Sequence, residues 1–145
     1  MKGYHYTESG LRNVWLANGF EVRQTRYGEG VAIHDVFGLH QAIGKALARK
    51  AALTGAELRF LRKEMNLSQA GLGELVGVTD QAIAKWEKTG KIPKTADRMI
   101  RLIYLEHIGG NVQIRNTIEG IAHTDMAEQN EIIVEEDVDG WKLAA

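Results

Sequence analysis

Leu67-Ser68-Gln69-Ala70-Gly71-Leu72-Gly73-Glu74-Leu75-Val76-Gly77-Val78-Thr79-Asp80-Gln81-Ala82-Ile83-Ala84-Lys85-Trp86-Glu87 is the stretch that decides the fold. Ser68 stands where a hydroxyl caps a helix from Gln69 to about Val76. Gly77 ends that helix, because the left-handed backbone of a helix C-terminus is easiest for glycine. Val78 plugs the turn, and Thr79 caps a second helix running to about Lys88. Leu72, Leu75, Val78, Ile83 and Trp86 are spaced to converge on one core with Leu58, Leu61, Ile100 and Ile103. Asp80, Gln81, Ala84, Lys85 and Lys88 are then left facing outwards on the second helix.

Two helices joined by a short glycine-containing turn form a helix-turn-helix unit, whose second helix lies in the DNA major groove. The run Leu67-Ser68-Gln69, then Leu72, Val76-Gly77-Val78-Thr79, Ile83, Trp86-Glu87, Gly90 and Pro93 resembles the Cro/C1-type (XRE) phage-repressor family over about 55 residues. The resemblance implies that Gln69 holds a phosphate, Thr79 touches the DNA backbone, and Asp80, Gln81 and Lys85 reach base edges. It also implies an ion pair between Arg62 and Glu87. Gln81 has the chemistry to pair bidentately with adenine and Lys85 to donate to guanine, whereas Asp80 suits either cytosine N4 or the helix N-terminus. The blander reading of these positions is a solvated helix face. Lys88, Lys91 and Lys94 are the candidate phosphate contacts, within a basic run that also includes Arg98 and Arg101. Gly71 and Gly73 depart from the pattern, since glycine inside a helix costs about 1 kcal/mol against alanine.

Upstream, Val14-Trp15-Leu16 and Phe20-Glu21-Val22 flank Asn18-Gly19, a hairpin signal, and a second turn is expected at Gly28-Glu29-Gly30. Asp35 is a candidate cap for a helix carrying Val36, Leu39, Ile43 and Leu47 and ending near Ala52. Thr54 caps the next helix, with Leu58, Leu61 and Met65 on one face. Downstream, Val112, Ile114, Ile118 and Ile121 suggest an amphipathic helix, and Ile132 to Leu143 a terminal strand or hairpin. The fold class is therefore α+β: a mainly α helix-turn-helix bundle preceded by a small antiparallel β-rich region with one helix. The division reads as 1–53, 54–108 and 109–145.

The net charge of −1 conceals an asymmetry. Residues 1–53 carry 7 basic and 4 acidic side chains, residues 54–110 carry 9 and 7, and residues 111–145 carry 2 and 8. An acidic tail thus follows a mildly basic body. No apolar run approaches a bilayer span, and the first residues lack a signal-peptide core, so a cytoplasmic protein is expected. The chain has no cysteine, which removes disulfides, thiol nucleophiles and Cys-based zinc sites. The histidines, His5, His34, His40, His107 and His123, do not share a metal-ligand spacing. Of the two serines, Ser68 is used as a cap, and no nucleophile stands with His34-Asp35. Gly28-Glu29-Gly30 lacks the longer pattern of a phosphate loop. These observations favour a protein without cofactor or metal that is not an enzyme.

The order of a β-rich region before a helix-turn-helix also resembles MqsA/YgiT-type antitoxin-regulators, although Ser9 stands where that family segment has a cysteine. That likeness implies a toxin or other protein partner for residues 1–53. The phage-repressor likeness implies a repressor of an inverted-repeat operator in double-stranded DNA. A homodimer is expected because one recognition helix reads only a few base pairs. Its contacts are expected within residues 96–145, where Ile103, Ile108, Val112, Ile114, Ile118 and Ile121 exceed what one small core uses, with the N-terminal sheet as the alternative surface.

Overall fold

The computed structural model describes residues 3–109 and 131–144. These fall into two compact units, and the division lies inside one helix, between Ile43 and Gly44. The fold is α+β.

The first unit combines both ends of the chain. Strands β1 (Tyr4–His5), β2 (Val14–Leu16), β5 (Ile132–Asp137) and β6 (Gly140–Leu143) form a four-stranded sheet in the order β1-β2-β5-β6. β2 pairs antiparallel with β1 on one edge and parallel with β5 on the other, with Val14 opposite Ile132 and Leu16 opposite Val134. All four of those apolar side chains are buried, and Leu11, Leu39 and Ile43 are the other large aliphatic residues of this core. β3 (Phe20–Thr25) and β4 (Gly28–Ile33) make a separate two-stranded ribbon.

This arrangement corrects the expected hairpin across Asn18-Gly19. Both edges of β2 are occupied, so β3 has no place beside it. Gly19 instead makes a corner with φ +78°, where its missing Cβ would lie 2.2 Å from the Trp141 ring. The real hairpin turns at Arg26-Tyr27, two residues earlier than the glycine-rich turn expected at 28–30, and Gly28 to Gly30 lie within β4. The terminal segment forms the β5–β6 hairpin despite Glu135-Glu136-Asp137. Its acids find partners: Glu136 accepts a hydrogen bond from His34 Nδ1 at 2.7 Å, and Asp137 pairs with Lys142 at 2.8 Å.

Helix α1 (Val36–Leu47) begins with Asp35, whose carboxylate accepts from the Gly38 N–H at 3.1 Å. It ends five residues before the expected Ala52. Tight bonds from Arg49 N to Ala46 O and Lys50 N to Leu47 O close it. The released backbone is then captured by α5 (Lys94–Gly109): Arg101 donates to Lys50 O and Asp97 accepts from Leu53 N at 2.9 Å.

The second unit contains α2 (Gly55–Glu64), α3 (Gln69–Val76), α4 (Asp80–Thr89) and α5. Thr54 and Glu57 form a reciprocal capping box at the start of α2. Leu58, Leu61, Leu72, Ile83 and Ile100 are fully buried and form the centre of the core, with Phe60, Met65 and Tyr104 also buried. Val78, Trp86 and Ile103 are half-buried. Leu75 departs from expectation and is 51% exposed. With Leu72 and Gly73 as the buried pair of α3, a 100° turn per residue brings Val76 towards the packed side and Leu75 away from it. The residues read as a helix around Val112 to Ile121 lie outside the described residues.

Candidate nucleic-acid interface

The two central helices are capped as the sequence demands. Ser68 Oγ accepts from Gly71 N at 2.9 Å, Gly77 ends α3 at φ +86°, and Thr79 Oγ1 accepts from Ala82 N at 3.1 Å. The turn between them is tight because both Gly77 N and Val78 N donate to Gly73 O at 2.8 Å. Gly73 is required there: a Cβ would stand 2.6 Å from Val78 O. The departure noted in the sequence thus sets how closely the turn folds back on α3.

A polar clamp fixes α4 against α2 and α3. Arg62 Nε donates to Glu87 Oε2 at 2.6 Å and Nη2 to Oε1 at 3.1 Å, while Nη1 reaches Leu67 O at 3.0 Å. Both side chains are about nine-tenths buried, so the expected Arg62–Glu87 pair is present and bidentate. Gln69 joins it by donating from Nε2 to Glu87 Oε1 at 3.2 Å. Gln69 is therefore tied to the clamp and retains a second amide N–H, a feature that spacing alone does not reveal.

The outward face of α4 carries Gln81 and Lys85, both exposed, with Ala84 half-buried between them. Asp80 is exposed and its Oδ1 accepts from the Gln81 backbone N–H at 2.9 Å, leaving its other carboxylate oxygen available. Thr79, a cap, is exposed as well. Lys88 lies in the last turn of α4, Lys91 in the following loop, and Lys94 begins α5; all three are exposed. The loop is shaped by Gly90 at φ +73°, and by Thr89, whose Oγ1 donates to Lys85 O at 2.9 Å and accepts from Lys91 N at 3.2 Å. Thr89 is a positioning residue that the sequence reading did not single out. Of the other cations in the basic run, Arg101 is buried and belongs to the core: burial drives its pKa down, and Asp97 opposes that shift. It is not part of the exposed basic rim.

This exposed helix, held by a buried clamp and bounded by lysines, has the geometry of a DNA-reading element. The helix-turn-helix family model matches residues 58–103. This segment is similar to helix-turn-helix domains, and its α3–turn–α4 geometry agrees with that likeness. No curated protein and no solved structure matches the chain. The matched family is one of DNA-binding regulatory domains and not of enzymes, which supports a DNA-binding transcriptional regulator. Among the described residues there is no group of three or more metal-ligating side chains, and no helix is long and apolar enough to cross a membrane.

Proposed function

We propose that the chain is a sequence-specific transcriptional repressor, autoregulatory, that binds an inverted-repeat operator as a homodimer with α4 in the major groove. The observation that carries this reading is the exposed α4 face, where Gln81 and Lys85 are open to solvent while their helix is locked to α2 by Arg62–Glu87. Gln81 and Lys85 read base edges, with Asp80 as a third reader and Ala84 offering apolar contact to a thymine methyl. Gln69 and Thr79 hold phosphates beside the groove, and Lys88, Lys91 and Lys94 hold them at its rim. Selection of binding sites from random duplexes, followed by footprinting, tests the assignment. Enrichment of a two-fold symmetric sequence supports it, and recovery of unrelated sequences overturns it.

A second reading, which the likeness to antitoxin-regulators implies, has the N-terminal region 1–53, most of it in the first unit, bind a protein. An antitoxin reading assigns that unit to a toxin, and co-purification of a stoichiometric partner from the native host tests it. An apo unit with no partner under those conditions counts against it.

A further inference from the structure

The ribbon β3–β4 leaves one long edge of β3 without a strand beside it among the described residues. The hydrogen-bonding phase of that edge is fixed by its inner side. Thr25 faces Gly28 across a two-residue loop, and His34 N donates to Gly19 O at 2.9 Å in the same register. The inward-bonding residues are therefore Gly19, Glu21, Arg23 and Thr25, and the alternation of an antiparallel ladder turns the N–H and C=O groups of Phe20, Val22 and Gln24 outwards. The strand contains no proline, no lysine and no break in register, and its two charges, Glu21 and Arg23, are of opposite sign. Its side chains are exposed from Glu21 to Thr25, with Val22 at 53%.

We infer that the outer edge of β3 pairs antiparallel with the β3 edge of a second copy of this chain, about a two-fold axis through Val22, to give a continuous four-stranded sheet. This inference rests on the proposed dimeric reading and names its surface. Three features of the edge fit that register and no neighbouring one. Val22 faces Val22 of the second copy with both outward backbone groups engaged, and Phe20 faces Gln24 of the second copy with theirs. Glu21 then faces Arg23 of the second copy, and Arg23 faces its Glu21, so the two charges that would repel a foreign strand become two cross-strand ion pairs. Within one chain Arg23 already reaches Glu21 at 2.8 Å, but both side chains are about two-thirds exposed, so this local pair is readily exchanged. A register centred on Arg23 instead opposes Arg23 to itself. Part of the segment first expected to dimerise is meanwhile used within the chain, since Ile132 and Val134 of β5 are buried beside β2.

The chain has no cysteine, so Val22→Cys introduces a single thiol on the proposed axis. Paired residues of this kind lie about 5.5 Å apart at Cα, within disulfide reach. Mild oxidation of the full chain should convert V22C to a covalent dimer. Tyr27→Cys, at the ribbon tip and 93% exposed, should cross-link much more slowly because the register places it far from its own copy. Glu21→Arg and Arg23→Glu should each weaken the dimer about tenfold by light scattering, and the double exchange should restore it. Circular dichroism melts check that these exposed substitutions leave the fold intact. Cross-linking of V22C no faster than Y27C overturns the inference, as does a double exchange no better than the single variants. A dimer that persists through all of these changes also overturns it, while leaving the repressor reading standing. Correct cross-linking and charge rescue without any protected DNA site would instead sink the repressor reading and leave the pairing intact.

Discussion

Glu87 receives three side-chain donors from two other helices: Arg62 Nε, Arg62 Nη2 and Gln69 Nε2. Removing Arg62 leaves a carboxylate that is about nine-tenths buried without its cation, and removing one member of such a pair costs about 3–5 kcal/mol. Arg62→Met should therefore melt well below the parent in a thermal scan; an unchanged midpoint would show that the pair contributes nothing. The clamp is buried and the proposed reading face is exposed, so the proposal separates stability from recognition at this scale. Gln81→Ala and Lys85→Ala touch exposed side chains and should leave the melting midpoint unchanged. Each should remove about 1–3 kcal/mol of discrimination between operator and random duplex. Equal operator preference in parent and variants, measured by competition binding, would remove both residues from the reading face. The bidentate pair was legible because the resemblance carried it residue by residue. The Gln69 bond to the same carboxylate was not, because it depends on how α3 and α4 are folded on each other.

Among the elements, helices were legible where a cap, a stop and an apolar face coincide, as in α2, α3 and α4. Ser68, Gly77, Thr79 and Gly90 act through bonds to residues within four positions, so their signal is local. The β-region was misread because its pairing is not local: the partner of Val14 is Ile132, far along the chain, and nothing in Asn18-Gly19 announces that β2 is already flanked. Leu75 was misread for a different reason, as an eight-residue helix buries too narrow a face for every apolar residue to enter it. Gly73 shows the converse, an apparent weakness in α3 that closes the turn. Gly73→Ala gains helix propensity but drives a Cβ to 2.6 Å from the Val78 carbonyl, a backbone atom with little room to yield. The net effect should be a destabilisation of about 1–3 kcal/mol, typical of overpacking, read from urea unfolding. A more stable variant would mean that the turn shifts without cost.

For the whole molecule, the two units predict separable behaviour. Deletion of 131–145 removes the parallel partner of β2 and uncovers Val14 and Leu16, so the first unit should lose its protected amides in hydrogen exchange while the helix-turn-helix domain keeps its own. Loss of protection throughout the chain would show that the units do not fold apart. The assembly on DNA can be counted by salt. Each neutralised phosphate contributes about −0.9 to the slope of log affinity against log salt concentration. If Lys88, Lys91 and Lys94 each hold one phosphate in each half-site, these residues alone supply a slope near −5 for two copies. Lys91→Ala removes one contact from each bound copy, so the slope should become shallower by about 2 for a dimer and by about 1 for a monomer. The preference for operator over random duplex should barely change, because a phosphate carries no sequence information. Titrations of parent and variant against one palindromic duplex at several salt concentrations make the measurement. A change near 1 would show that a single copy occupies the site, and no change would remove Lys91 from the interface.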